Sequence, residues 1–258
     1  MPQTKIVFFD IDGTLIDMQA KKITPKMLET LHRLQDRGIK ICIATGRSPM
    51  VLPKIDGVAF DAYLTFNGSL CYDRKGVIFS NPIPHKDVVR FIQNAAALGR
   101  PVCVSTRGRL AAHGADTDLT DYFFIAKEPV PVADDFDAVC AEDIYQLMLG
   151  CRPKDYPALL DGAPGAKIAA WWDRAVDVIP AGGGKGIGIE KMLAYYGLDK
   201  AEALAFGDGN NDREMLQAVG TGVAMENGSP ELKSIADEIC GPVYEDGIYH
   251  YCADKGLI

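Results

Sequence analysis

The stretch VFFDIDGTL, beginning at Val7, ends an apolar run with two carboxylates, Asp10 and Asp12. An ionised carboxylate at the edge of a core is costly unless something compensates it. The pair therefore marks either surface residues or a place built for a cation or a proton. Two apart on an extended segment, the side chains lean to the same face. Far downstream, GDGNND adds Asp208 and Asp212. If these groups converge, two like charges ~4 Å apart repel by about 4 kcal/mol at an effective dielectric of roughly 20. Protonating one carboxylate or binding a cation relieves that repulsion. With oxygen ligands only, and no His or Cys cluster beside them, the expected ion is Mg2+.

Other residues suit a phosphoryl group. Thr45 offers a hydroxyl beside Gly46, whose missing Cβ lets backbone N–H groups approach an anion. Lys185, in GGGKG at an expected helix start, adds a point charge where the helix dipole already favours anions. This is not a nucleotide-binding Walker A loop, because Ile179 stands at the first glycine position and Gly186 where Ser or Thr is required. Taken singly, each stretch has an ordinary reading. DGT can be a turn, TGR (Thr45 to Arg47) is a weak signal, and Lys185 can be a solvated lysine. GDGNND can be a loop, although it lacks the downstream ligands of an EF-hand.

The elements that must position these residues decide between the readings. KIVFFDI is an unbroken apolar run, as expected of a strand covered on both faces. A helix follows, with Thr24 as N-cap, Pro25 at its first position and Gly38 beyond its end. Strands IKICIATG and AYLTFNG come next, and the strand–helix alternation predicts a parallel sheet with helices on both faces. From SNPIPHKD the pattern changes. A helix from about Asp87 to Leu98 leads to a hairpin turning at Arg107-Gly108; then come a strand DIYQLMLGC, a short helix DYPALLDG and a second hairpin turning at Asp173-Arg174. VPVADDFDAVCAED, between the hairpin and that strand, reads as loop. Alternation resumes at AGGGKG with a helix through Ile189 and Met192, the strand AEALAFGDG, a helix through Met215, the strand GTGVAM and a final helix from about Pro230 to Ala236. The fold expected is α/β: a doubly wound, Rossmann-like parallel sheet core over 1–81 and 182–258, interrupted by an inserted α+β unit over 82–181. Asp10 and Asp12, Thr45 to Arg47, Asn67-Gly68 and the GDGNND loop all fall at strand ends on one edge, where open parallel sheets bind ligands. One such case is turn chemistry; four describe a site.

Bulk composition narrows the partners. A 48% hydrophobic fraction with 24% charged residues fits a globular protein with a sizeable core. A formal charge of -8 argues against nucleic-acid or anionic-membrane partners. Seven scattered cysteines without a C-x-x-C pair make a disulfide framework or thiolate zinc site unexpected. MPQTKIVFFD shows no signal-peptide apolar region, and no apolar run approaches the ~20 residues of a membrane helix. A cytoplasmic location and a monomer or homodimer are the expectations.

With DIDGTL, ATGR, Lys185 and GDGNNDREML in this order, the chain resembles the haloacid dehalogenase-like superfamily of phosphohydrolases. The resemblance is to its Cof-type branch with a large class II (B subtype) cap. It continues through GTGVAMENGSPELKSIADEI and EDGIYHY, whereas the insertion matches in position and size more than in sequence. Two departures are a glycine before Lys185, where a polar residue is frequent, and MENG in place of NA. The resemblance implies that Asp10 attacks phosphorus to form an aspartyl-phosphate and that Asp12 is the acid/base. It also implies Mg2+ held by the Asp10 carboxylate, the Asp12 carbonyl and Asp208, with Asp212 in or just behind that shell, and Thr45, Asn211 and Lys185 on the phosphoryl oxygens. The activity expected is hydrolysis of small phosphorylated metabolites, sugar phosphates first. A phosphomutase of the same superfamily and a non-catalytic phospho-receiver or metabolite sensor are the alternatives. The cap would cover the site and contact the leaving group. Trp171 and Trp172 are neighbours on an expected cap strand, with packing against cap helices the simpler role for the inward one. Arg107 and Arg109 could meet an anionic substrate, though solvated turn charges are commoner.

Overall fold

The computed structural model describes residues 3–125, 127–170 and 172–258. These form two compact units, one comprising 3–47, 53–80 and 184–258 and the other 48–52 and the described residues of 81–183. In chain order the first unit opens with β1 (Ile6–Phe9), α1 (Pro25–Asp36), β2 (Lys40–Ala44), β3 (Ala62–Thr65), β4 (Leu70–Asp73) and β5 (Gly76–Ser80). The second unit contributes α2 (His85–Ala97), β6 (Val102–Ser105), β7 (Leu110–Ala112), α3 (Thr117–Ile125), α4 (Phe136–Val139), β8 (Gln146–Gly150), α5 (Tyr156–Leu160), β9 (Ala166–Ala169) and β10 (Ala175–Pro180). The chain then returns to the first with α6 (Lys185–Tyr196), β11 (Ala203–Gly207), α7 (Arg213–Ala218), β12 (Thr221–Met225), α8 (Pro230–Lys233), β13 (Glu238–Cys240) and α9 (Gly247–Asp254).

The first unit is built on a sheet of order β13-β12-β11-β1-β2-β3-β4-β5. β1 lies at its centre, parallel to β2 and β11, with Phe9 opposite Ile43 and Phe206. Both faces are covered, which is why IVFF is apolar throughout. Ile6 and Phe8 pack with Ile189, Met192 and Met215 from α6 and α7. On the other face Phe9 stacks on Phe206, which meets Tyr251 of α9 edge-on. Each such buried aromatic is worth roughly 1.5–3 kcal/mol, so the ends of β1 and β11 are anchored by their own side chains. α1 begins as its sequence predicts: the Thr24 hydroxyl accepts from the Met27 N–H at 3.1 Å, and Pro25 follows.

The parallel core is as expected, and the departures lie around it. The sheet is not purely parallel: β4 runs antiparallel to β3, and β5 antiparallel to β4. VPVADDFDAVCAED is not all loop, because α4 forms a single turn that buries Phe136 and Val139. The final helix does not reach Ala236; α8 ends at Lys233, and β13 and α9 follow.

The second unit is an antiparallel sheet of order β7-β6-β8-β10-β9. Val88 and Phe91 of α2 pack on one face with Val102, Leu147 and Val176, and Leu119 and Phe123 of α3 cover Cys103 and Met148 on the other. Trp171 lies outside the described residues. Trp172 sits in the β9–β10 connection rather than on a strand, with the Arg174 guanidinium 4.5 Å from its ring centre. Arg109 is paired with Asp135 at 2.5 Å. All seven cysteines are free and buried, and burial pushes the Cys71, Cys103, Cys240 and Cys252 thiols up to about 12. No described helix is long and apolar enough to cross a membrane.

Candidate active site

The carboxyl-terminal ends of β1, β2, β3 and β11 carry the residues singled out above. Asp10 continues β1, its N–H bonded to the Phe206 carbonyl at 3.0 Å, so the side chain leaves a backbone still tied to β11. Lys185 opens α6 with its side chain completely buried, and its Nζ donates to Asp10 Oδ1 at 2.6 Å and to Asp212 Oδ1 at 2.5 Å. Asp212 Oδ2 accepts the N–H groups of Asp208 and Gly209 at 3.0 and 2.9 Å, closing the GDGNND turn on itself. Asp208 Oδ1 accepts from the Thr14 hydroxyl at 2.9 Å. Asp10, Asp208 and Asp212 each offer an oxygen within 4.8 Å of the others.

Backbone conformation keeps this packing possible. Gly13 has φ +84°, and a Cβ there would overlap the Asp208 carboxylate. Gly184 caps α6 at φ +152°, with the Glu214 carboxylate filling the space a side chain would take. The glycine before Lys185 thus makes room for an acidic group from α7 at a helix N-terminus, where negative charge is favoured.

The remaining residues form a second chain of contacts. The Thr45 N–H bonds to the Leu64 carbonyl at 2.9 Å, the Asn67 N–H to the Thr45 carbonyl at 3.0 Å, and the Phe66 N–H to the Arg47 carbonyl at 3.0 Å. These bonds hold Phe66 and Asn67 at positive φ, a conformation that non-glycine residues keep only where their surroundings impose it. The Asn67 amide lies 3.1 Å from where a Cβ on Gly46 would be. It also accepts from Asn211 Nδ2 at 3.2 Å, joining the β2 and β3 loops to the GDGNND turn. The Thr45 hydroxyl accepts from the Arg47 N–H at 3.1 Å, which leaves its own proton to be donated. Asp12 is gripped by Arg47 at both oxygens, Nε to Oδ2 at 2.7 Å and Nη2 to Oδ1 at 2.6 Å. Local sequence pattern gives Arg47, Thr14 and Asn67 no individual role; their contacts with Asp12, Asp208 and Asn211 do.

Electrostatically the cluster is unbalanced. Three carboxylates around one ammonium leave two negative charges when all are ionised. Burial, then the charges of Asp212 and Asp208 against the opposing pull of Lys185, raises the Asp10 carboxyl to about 8. Burial and Asp212 raise Asp208 to about 6. Burial disfavours the Lys185 ammonium, but Asp10 and Asp212 outweigh it and its pKa is raised. An all-oxygen donor set with a two-charge deficit fits a hard divalent cation.

This gives a pH prediction. Both carboxyls titrate above their unfolded value of 3.8, so the stability that they contribute is present below that value. It is lost as pH rises through about 6 for Asp208 and about 8 for Asp10. A cation replaces those protons, so the rise in Tm on adding Mg2+ should grow from roughly pH 5 to roughly pH 9. Thermal melts in EDTA and in Mg2+ across that range check it; an increment that is flat or shrinks with pH contradicts it.

The chain is similar to known proteins along nearly its whole length. A family model described as haloacid dehalogenase-like hydrolase matches residues 7–252. YkrA of Bacillus subtilis (strain 168) is 35% identical over 257 residues, 99% of each chain. Among solved structures, BT1666 of Bacteroides thetaiotaomicron, from a study of phosphatases of the haloalkanoate enzyme superfamily, has a TM-score of 0.92 at 30% identity, covering 99% of this chain and 96% of that one. The subclass IIB sugar phosphatase BT4131 has a TM-score of 0.87 at 28% identity, covering 99% of this chain and all of that one.

Proposed function

Because the chain belongs to the haloacid dehalogenase-like hydrolase family, we propose that it is a Mg2+-dependent phosphatase of small phosphorylated metabolites working through an aspartyl-phosphate. The observation that carries this reading is the buried Asp10–Lys185–Asp212 bridge beside Asp208. Sugar phosphates are the first substrate class, supported by the likeness to a sugar phosphatase.

In this reading Lys185 holds Oδ1 of Asp10, and among the described residues nothing else bonds that side chain. Asp10 forms a bond to phosphorus as the bond to the leaving oxygen breaks, and Asp12 delivers a proton to that oxygen. Asp12 then takes a proton from the water that attacks phosphorus and frees Asp10. Arg47 fixes Asp12 in orientation through both carboxylate oxygens, each of which keeps a second lone pair for a proton. Thr45, Gly46, Asn211 and Lys185 receive the phosphoryl oxygens. Asp10, the Asp12 carbonyl, Asp208 and Asp212 would hold Mg2+. Asp212 is the least free of these, since one oxygen meets Lys185 and the other two backbone N–H groups. When bound, the ion compensates the negative charge of the attacking carboxylate and the phosphoryl group. The inserted 82–181 unit would exclude water and select the leaving group.

The test is a panel of phosphate monoesters, sugar phosphates foremost, assayed with Mg2+ and with EDTA. At least one ester should turn over, stop in EDTA and resume with Mg2+. No turnover anywhere on the panel with Mg2+ present would overturn the reading.

A further inference from the structure

Two stretches of the chain have no part in the scheme above, ENG at 226–228 and EDG at 245–247. Both meet the loop that follows β1. Asn227, just past β12, donates from Nδ2 to the Gly13 carbonyl at 2.8 Å and accepts at Oδ1 from the Val243 N–H at 2.9 Å. Asp246, immediately before α9, accepts at Oδ1 from the Thr24 hydroxyl at 2.5 Å, with the Lys26 ammonium 3.8 Å from Oδ2. It does so at φ +56°, a left-handed conformation imposed on a non-glycine residue. Gly247 packs directly on the Gly241 backbone and donates to the Pro242 carbonyl at 3.1 Å. The two ends of loop 13–24 are therefore tied to one C-terminal segment.

That loop starts inside the candidate site. The Gly13 carbonyl and the Thr14 N–H share one peptide plane, so the Asn227 bond sets where the Thr14 hydroxyl begins its reach to Asp208. Asp208 is held from the other side by the same strand exit as Asn227, its carbonyl accepting the Ser229 N–H at 2.9 Å. Asp12 is the residue next to Gly13.

We propose that Asn227 and Asp246 are positioning residues, forming a clamp through which the C-terminal segment fixes the loop bearing Asp12 and Thr14 and, through Thr14, the Asp208 carboxylate. The clamp rests on the phosphatase reading for its kinetic consequences and on Asp208 as a cation ligand for its binding consequences. Neither residue touches a reacting atom. Removing an outer-shell partner of a metal ligand typically costs about 10–100-fold in metal affinity or activity, and the lower end of that range is the effect expected here.

The experiment compares the full chain with Asn227→Ala, Asn227→Asp, Asp246→Ala, Asp246→Asn, Thr14→Val and the Asn227→Ala/Thr14→Val double variant. It measures Mg2+ affinity by calorimetry, kcat and KM on the best panel substrate, and Tm. Asn227→Ala should weaken Mg2+ binding and lower kcat by about tenfold each, with KM changed less than about threefold. Asn227→Asp should lose at least as much, since it sets a carboxylate oxygen against the Gly13 carbonyl. Asp246→Asn, which keeps an acceptor for Thr24, should recover most of what Asp246→Ala loses. The losses in the double variant should combine to less than their product, because part of the Asn227 effect passes through Thr14. Wild-type kcat and Mg2+ affinity in folded Asn227→Ala would overturn the clamp, as would losses that multiply in the double variant. Should Asn227→Ala not fold, the Asp246→Ala and Asp246→Asn pair decides by the same two readouts. If the wild-type chain turns over no ester, the phosphatase reading fails by itself, and Mg2+ affinity still judges the clamp.

Discussion

Replacing Lys185 by methionine should remove most turnover and several kcal/mol of metal-free stability. The ammonium is wholly buried and is the shared partner of Asp10 and Asp212. Breaking a buried pair by removing one member costs about 3–5 kcal/mol, because the partner is left uncompensated; here two carboxylates lose theirs. Those carboxylates can escape only by taking up protons. The loss should therefore be largest above the value of about 8 to which Asp10 is already raised, and smaller in acid. Denaturant unfolding in EDTA at roughly pH 5 and roughly pH 9 measures the difference. Mg2+ should return part of the stability, since it also neutralises the cluster. It should not return turnover, expected to be down by about 10²–10³-fold once the cation proposed to meet the phosphoryl oxygens is gone. A methionine variant as stable as wild type at the higher pH would contradict the electrostatic account.

Asp10→Asn should abolish turnover while leaving the fold intact. The amide has the same shape and can still accept from Lys185, but it is no nucleophile, and a loss of about 10³-fold or more is expected. The same substitution should flatten the pH dependence of metal-free stability. A carboxyl whose folded pKa is raised withdraws stability as pH climbs towards that value, and asparagine has no such titration. Near pH 8 the variant should be at least as stable as wild type, a trade of stability for function. Turnover within about tenfold of wild type would rule out Asp10 as the nucleophile.

Much of the site was legible because polar residues interrupt apolar strands at their ends. Asp10 after IVFF and Asp208 after ALAFG contradict the local pattern, and such contradictions concentrate at functional sites. What remained hidden depends on contacts distant in sequence or on patterns too short to read. Arg47 meets Asp12 across the ends of two strands, and no local periodicity announces an ion pair. β4 and β5 have only four and five residues around a turn where Asp73 accepts from the Lys75 and Gly76 N–H groups, without the Asn-Gly or Asp-Gly signal of a tight hairpin. α3 buries Leu119 and Phe123 but leaves Phe124 72% exposed, so apolar residues lie on both sides and blur the helical period. α9 begins after a left-handed Asp246 with no side-chain cap, and it lacks an ordinary start signal.

The central claim, that Asp10 carries the phosphoryl group, is tested most directly by rapid acid quench of the enzyme turning over its best substrate, followed by peptide mass spectrometry. One phosphoryl group should appear on the peptide containing Asp10, build up before steady state, and be absent from Asp10→Asn. Steady turnover with no phosphorylated Asp10 peptide at any quench time, or with the label on another residue, would contradict it.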